Sequence, residues 1–223
     1  MNGIQRVLVA CVLLFAGLGA AFAQAADVGL VNQVMGEVTY TTTSGSGGGK
    51  AQAYMKMRAG DRFTLPAGTQ LKVIYFQNGR METWRGPSSF TAGAASSSPV
   101  SGTVFQVASL PVAVPRSIAK VPELVQMSKL GGIQVRGTRK YFASLDRDEQ
   151  AQVATAWENY HRLRQLLPPD DITSEQYLLP VLQEFLLYDD VKVVLDTLLR
   201  KQPGNQEGKE LAEWVKGRIK PAN

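Results

Sequence analysis

The sequence predicts an α+β protein: a small N-terminal antiparallel β-sandwich or barrel followed by an all-helical module. Three observations predict it. From Met57 to Gly93, short runs of β-forming residues alternate with glycine-centred turns. From Asp146 onward, apolar residues recur at helical spacing. Between the two, Pro111 to Pro122 reads PVAVPRSIAKVP, a proline-punctuated stretch of the kind that separates domains. The expected organisation is a signal peptide over 1–25, a β-domain over 27–110, a Pro/Gly-containing linker over 111–140 and a helical interaction module over 141–221.

The first segment is read from charge and apolar length. Arg6 precedes an apolar run from Val7 to Phe22, and Ala21-Phe22-Ala23 and Ala23-Gln24-Ala25 are small-residue cleavage patterns. The run is shorter than the roughly 20 residues that span a bilayer. This predicts export, and a periplasmic or secreted product. Cys11, the one cysteine, lies inside this run and leaves with it, so disulfides are not expected to staple the product. The 223-residue chain carries a formal charge of +5. Such a mild excess fits a solvated mixed-charge surface, with weak attraction to anionic envelope polymers or lipids as the alternative.

The β-elements follow in order. Glu37 to Thr41 alternates after a turn at Gly36. Thr41 to Gly49, TTTSGSGGG, has the composition of a hairpin loop, and Lys50-Ala51 excludes a phosphate-binding P-loop. Gly60-Asp61 and Pro66-Ala67-Gly68 are turns around Arg62 to Leu65. In the next strand Leu71, Val73 and Tyr75 share one face, while Lys72, Ile74 and Phe76 share the other. Apolar residues on both faces predict a central strand covered on two sides. Asn78-Gly79 predicts a hairpin into the return strand Arg80 to Arg85. Gly86-Pro87 closes it, Ser89 to Thr91 begins another strand, Gly93 to Gly102 reads as loop, and Val104 to Leu110 is the last strand.

These turns carry a resemblance. Gly36-x-Val38, Gly60-Asp61-x-Phe63, Leu71-x-Val73-x-Tyr75-Phe76-x-Asn78-Gly79 and Gly86-Pro87-Ser88 occur in an order and spacing that resemble the FecR-type periplasmic domain, over about residues 28–110. The resemblance implies a β-rich envelope domain. Signalling members of that family place an anti-sigma segment and a transmembrane helix before the domain. Here a signal-like segment stands in that place, which favours an accessory role over direct control of a sigma factor.

In the C-terminal part, Glu123 to Leu130 has room for two helical turns, and Ile133 to Gly137 reads as a short strand. Asp146 with Glu149 forms a capping-box start, and Val153, Trp157 and Tyr160 follow at helical spacing until Pro168-Pro169. Thr173 with Gln176 is a second capping pair, ahead of Tyr177, Val181 and Phe185, with a late start or bend expected at Pro180. Asp189-Asp190 opens Val191 to Arg200, and Gln202-Pro203-Gly204-Asn205 turns the chain into Glu207 to Ile219. This last pair resembles a degenerate tetratricopeptide-type unit; a plain four-helix cap fits the pattern equally. One such unit cannot bury its own face, since about three are normally needed.

No catalytic set emerges. His161 is the lone histidine and follows Tyr160 beside an apolar helix face. Metal sites and nucleophilic triads need partners that this composition does not supply. Asp170-Asp171 and Asp189-Asp190 each precede a helix, where carboxylates suit the N-terminal dipole. The expectation is a non-enzymatic protein with no cofactor and no metal. It would bind an envelope or membrane protein, with cell-wall polysaccharide or an accessory role in transmembrane signalling as alternatives, and no nucleic acid. The candidate contact surface is Lys72, Arg80, Trp84 and Arg85, a tryptophan beside a Gly-Pro turn with cations around it.

Overall fold

The computed structural model describes residues 26–43, 45, 47–129 and 139–219. The signal-like run, Cys11 and the short strand expected at Ile133 to Gly137 lie outside them. Ten strands come first: β1 (Asp27–Met35), β2 (Thr39–Thr41), β3 (Gly48–Lys50), β4 (Lys56–Arg58), β5 (Arg62–Leu65), β6 (Gln70–Tyr75), β7 (Arg80–Arg85), β8 (Ser88–Ala92), β9 (Ser97–Ser101) and β10 (Gln106–Ser109). The helices follow: α1 (Ala113–Ile118), α2 (Val121–Lys129), α3 (Arg147–Leu166), α4 (Thr173–Glu184), α5 (Tyr188–Lys201) and α6 (Gln206–Ile219), with a 3-10 turn at Phe142–Ser144. The class is α+β.

The strands form two antiparallel five-stranded sheets, ordered β10-β7-β6-β1-β4 and β3-β2-β5-β8-β9. Their facing sides build one core. Val31, Leu71, Val73, Tyr75 and Trp84 of the first sheet meet Phe63, Leu65 and Phe90 of the second. Trp84 stacks on Phe90 at 4.5 Å, Phe90 on Phe63 at 5.1 Å, and Phe63 on Tyr40 at 5.9 Å. The Asn78-Gly79 hairpin joins β6 to β7 as its turn chemistry requires, with Gly79 at φ +68°. Gly93 to Gly102, expected as loop, contains β9. Its serines give no apolar alternation, and the strand is held by backbone pairing to β8 at the sheet margin.

The other face of the first sheet is covered by the helices. Leu30, Ile74 and Met81 belong to the same apolar cluster as Leu178, Leu182, Val194 and Leu198. The central strand β6 is therefore buried on both faces, as its two apolar rows require. Within the stretch expected as a linker, Ala113–Ile118 and Val121–Lys129 are helical. Pro115 and Pro122 fall in the first turns of α1 and α2, where a missing N–H costs no helical hydrogen bond. Val114 and Ile118 enter the shared core, and Ser117 Oγ donates to Tyr177 O at 2.6 Å. The proline signal thus marks helix starts rather than a spacer.

Helix α3 starts on the expected capping box: Asp146 accepts from Glu149 N at 2.8 Å, and the Glu149 carboxylate accepts from Asp146 N at 3.1 Å. The expected Thr173 cap is replaced. Asp171 Oδ1 accepts from Thr173 N at 2.8 Å, and α4 runs through Pro180 from Thr173. Asp189 and Asp190 lie in the first turn of α5, as expected.

Candidate functional site

The four residues expected to form one contact surface are divided by the alternation of the strands. The register of β6 and β7 pairs Leu71 with Trp84, Lys72 with Thr83, and Gln70 with Arg85. Leu71 and Trp84 face the sandwich core, so Lys72, one residue away, faces the helices. Trp84 is 1 % exposed and offers no surface. Its Nε1 donates to Glu82 Oε2 at 3.1 Å, and the same carboxylate accepts Arg80 Nε at 2.5 Å. Lys72 is 8 % exposed and donates to Asp171 Oδ2 at 2.5 Å. Of the four, Arg85 remains exposed. Its guanidinium lies 3.5 Å from the centroid of Phe105, and Nε donates to Gln70 at 3.2 Å.

Lys72 belongs to a buried polar seam between the first sheet and the start of α4. Asp171, Thr173, Ser174, Glu175 and Gln176 are all 2 % exposed or less. Glu175 accepts Lys201 Nζ at 2.9 Å, Tyr160 OH at 3.2 Å and Ser174 Oγ at 3.1 Å. Asn32 Nδ2 donates to Thr173 Oγ1 at 3.0 Å, and Gln176 Nε2 donates to Asn32 O at 3.2 Å. Side chains separated by about 100 residues or more in sequence thereby fix the helices on the sheet. This arrangement holds charges in place by pairing them.

Tyr54 ties the same junction at its other end. It sits at φ +65° between β3 and β4, and its hydroxyl accepts from Asn205 Nδ2 at 3.0 Å. Burial pushes its phenol up to about 12, opposed in part by hydrogen bonds to Asn205 and Gln176. The folded protein therefore keeps this proton where the unfolded chain loses it. Its stabilising contribution is complete below pH 10 and is lost as pH rises from 10 towards 12. Tyr75 and Tyr160 shift in the same direction, mainly through burial. Urea unfolding across this alkaline range is expected to show falling stability. Tyr54→Phe is expected to reduce the slope while costing about 1 kcal/mol at neutral pH through the lost hydrogen bond.

The exposed features lie elsewhere. His161 is exposed on α3 beside Trp157 and Tyr160. Asp189 takes two hydrogen bonds of 2.7 Å from Arg139. Among the described residues no group of three or more His, Cys, Asp or Glu side chains is placed to hold a metal, and no helix is long and apolar enough to cross a membrane.

The four marginal strands of the two sheets differ in charge and proline content. β4 carries Lys56 and Arg58, β3 is Gly48-Gly49-Lys50, and β9 carries Pro99. Charge and proline both discourage strand addition. β10, Gln-Val-Ala-Ser, carries neither. Phe105 is 53 % exposed, Val107 41 % and Val112 78 %. Phe105 N–H donates to Thr83 O at 2.8 Å although Thr83 already faces Gln106, so two residues oppose one and the strand bulges at Phe105. Leu110 N–H donates to Gly79 O, and by alternation Val107 and Ser109 turn their backbone groups away from β7. The sequence marks Val104 to Leu110 as a strand, but its place at a sheet margin depends on the pairing of distant strands. Its signal was a β-run without charge or proline next to a turn.

Comparison with protein-family models, with curated proteins and with solved structures finds no match.

Proposed function

We propose that the chain is an exported envelope protein without catalytic activity, which recognises a partner protein by accepting one of its extended segments as a strand beside β10. The observation that carries this reading is the uncharged, proline-free β10 margin of the first sheet, with Phe105 and Val107 exposed along it. Strand addition draws affinity from backbone hydrogen bonds and specificity from alternate side chains. The partner segment is apolar, to cover Phe105 and Val107, and carries a flanking carboxylate. That carboxylate meets Arg85, whose guanidinium lies flat on Phe105 and spends Nε on Gln70. The signal-like N-terminal run and the FecR-like order of turns support an envelope setting. The carboxylates of Asp171 and Asp189 are engaged by Lys72, Thr173 N–H and Arg139, which supports a non-catalytic role.

Val107→Pro removes an outward N–H without touching the ladder to β7, a position where a marginal strand tolerates proline. Retention of a defined envelope protein by the purified chain is expected to fall about tenfold in this variant, with the unfolding midpoint nearly unchanged. Equal retention by both forms would overturn the reading. So would a wild type that pairs with a second copy of itself through this margin and retains no other protein.

A further inference from the structure

A second site lies at the junction of sheet and helices, on the side of β1 away from β6. There the end of β1, the segment 51–53 and the turn between α5 and α6 enclose an open cleft of about 710 Å³. That is within the roughly 300–1,000 Å³ typical of small-molecule pockets. Its chemistry is specific. Gln33 and Gln52 on the sheet side, and Asp170 and Glu207 on the helix side, line the cleft. Their side chains make no hydrogen bond among the described residues. At the α5–α6 turn, Gln202 Oε1 accepts from Asn205 Nδ2 at 3.2 Å, while the buried Gln202 Nε2 has no partner. Two cations also line the cleft: Lys201 is committed to Glu175 and to Asp171 O, and Lys129 lies 3.8 Å from Glu210.

From this we infer that the cleft binds an uncharged, polyhydroxylated chain: an oligosaccharide. Free primary amides both donate and accept, which suits neighbouring hydroxyl groups. The two free carboxylates accept further hydroxyl or N–H donors, and against Lys129 and Lys201 they leave the lining without net charge, which suits an uncharged ligand. Val34, Met35, Ala51 and Ala53 supply an apolar wall for the C–H face of a sugar. An extended peptide is less favoured because this side of the chain is already paired at both ends of the cleft, at Val31 and at Val38. Val31 N–H bonds to Met55 O at 2.9 Å, Tyr54 N–H to Val31 O at 2.8 Å, and Ala51 N–H to Val38 O at 2.8 Å. The segment 51–55 thus takes both outward backbone groups of Val31 and the carbonyl of Val38. The site is separate from β10, which lies at the opposite end of the same sheet, so either site can fail without the other.

The test is titration of the full exported protein with a β-1,4-linked N-acetylglucosamine tetrasaccharide, with a maltotetraose arm and a short basic peptide arm. The side-chain amide NMR signals of Gln33, Gln52, Gln202 and Asn205 are the readout. The expected result is saturable movement of these four with at least one of the sugars. Gln33→Ala and Gln52→Ala are each expected to weaken binding about fivefold, as the loss of one neutral hydrogen bond does, without changing the unfolding midpoint. Unmoved amide signals at millimolar sugar would overturn the inference, as would movement with the peptide alone.

Discussion

Asp171→Ala is expected to destabilise the protein by about 3–5 kcal/mol, the range for breaking a buried ion pair from one side. The carboxylate is 2 % exposed and does two things at once: it accepts Lys72 Nζ at 2.5 Å and caps α4 through Thr173 N–H. Removing it leaves the ammonium of Lys72 buried between sheet and helices with no counter-charge. Urea unfolding measures the loss. The double variant Lys72→Met/Asp171→Ala separates the two roles. With both charges gone, most of the loss is expected to return, leaving about 1 kcal/mol for the missing cap. A double variant as unstable as Asp171→Ala alone would show that the stranded Lys72 ammonium is not the source of the loss. Because the seam joins the first sheet to α4, the sheets and helices are expected to unfold in one transition in the wild type.

Trp84→Ala is expected to cost a similar amount, about 3–5 kcal/mol, for a different reason. Trp84 is among the largest fully buried side chains and ends the aromatic stack through Phe90 and Phe63 to Tyr40. Its loss opens a cavity between the two sheets and also removes a donor from Glu82, a carboxylate 1 % exposed. Trp84→Phe keeps much of the ring volume and isolates the second effect, expected at about 1–3 kcal/mol for a buried acceptor that loses a partner. Thermal unfolding of both variants checks the order. If Trp84→Ala left stability unchanged and abolished binding of a ligand, the ring would be a contact residue and its place in the core would be contradicted.

What was legible in the sequence was what local chemistry determines. Gly60-Asp61, Pro66-Ala67-Gly68 and Asn78-Gly79 set turns through residues that accept the required backbone angles, and the strands between them fell where expected. The two apolar rows of β6 correctly required cover on both faces. What was not legible depended on distant partners. Alternation places Lys72 and Trp84 on opposite faces, but it does not say that a helix layer closes over one of them. The counter-charge of Lys72 lies 99 residues away. Pro115 and Pro122 read as linker because a first-turn proline and a loop proline look alike without the packed faces of α1 and α2. The β10 margin was hidden for the converse reason: its significance is an absence of charge and proline, recognisable once the other marginal strands are known.

Addition of a partner strand beside β10 would leave a signature in the backbone amides that face outward. Amide hydrogen exchange of Val107 and Ser109, measured in the free protein and in its complex with the captured envelope protein, tests it most directly. Strand addition predicts that both outward amides slow on binding, while the amides of β9 keep their free rates. Unchanged exchange at Val107 and Ser109 in a saturated complex would contradict it.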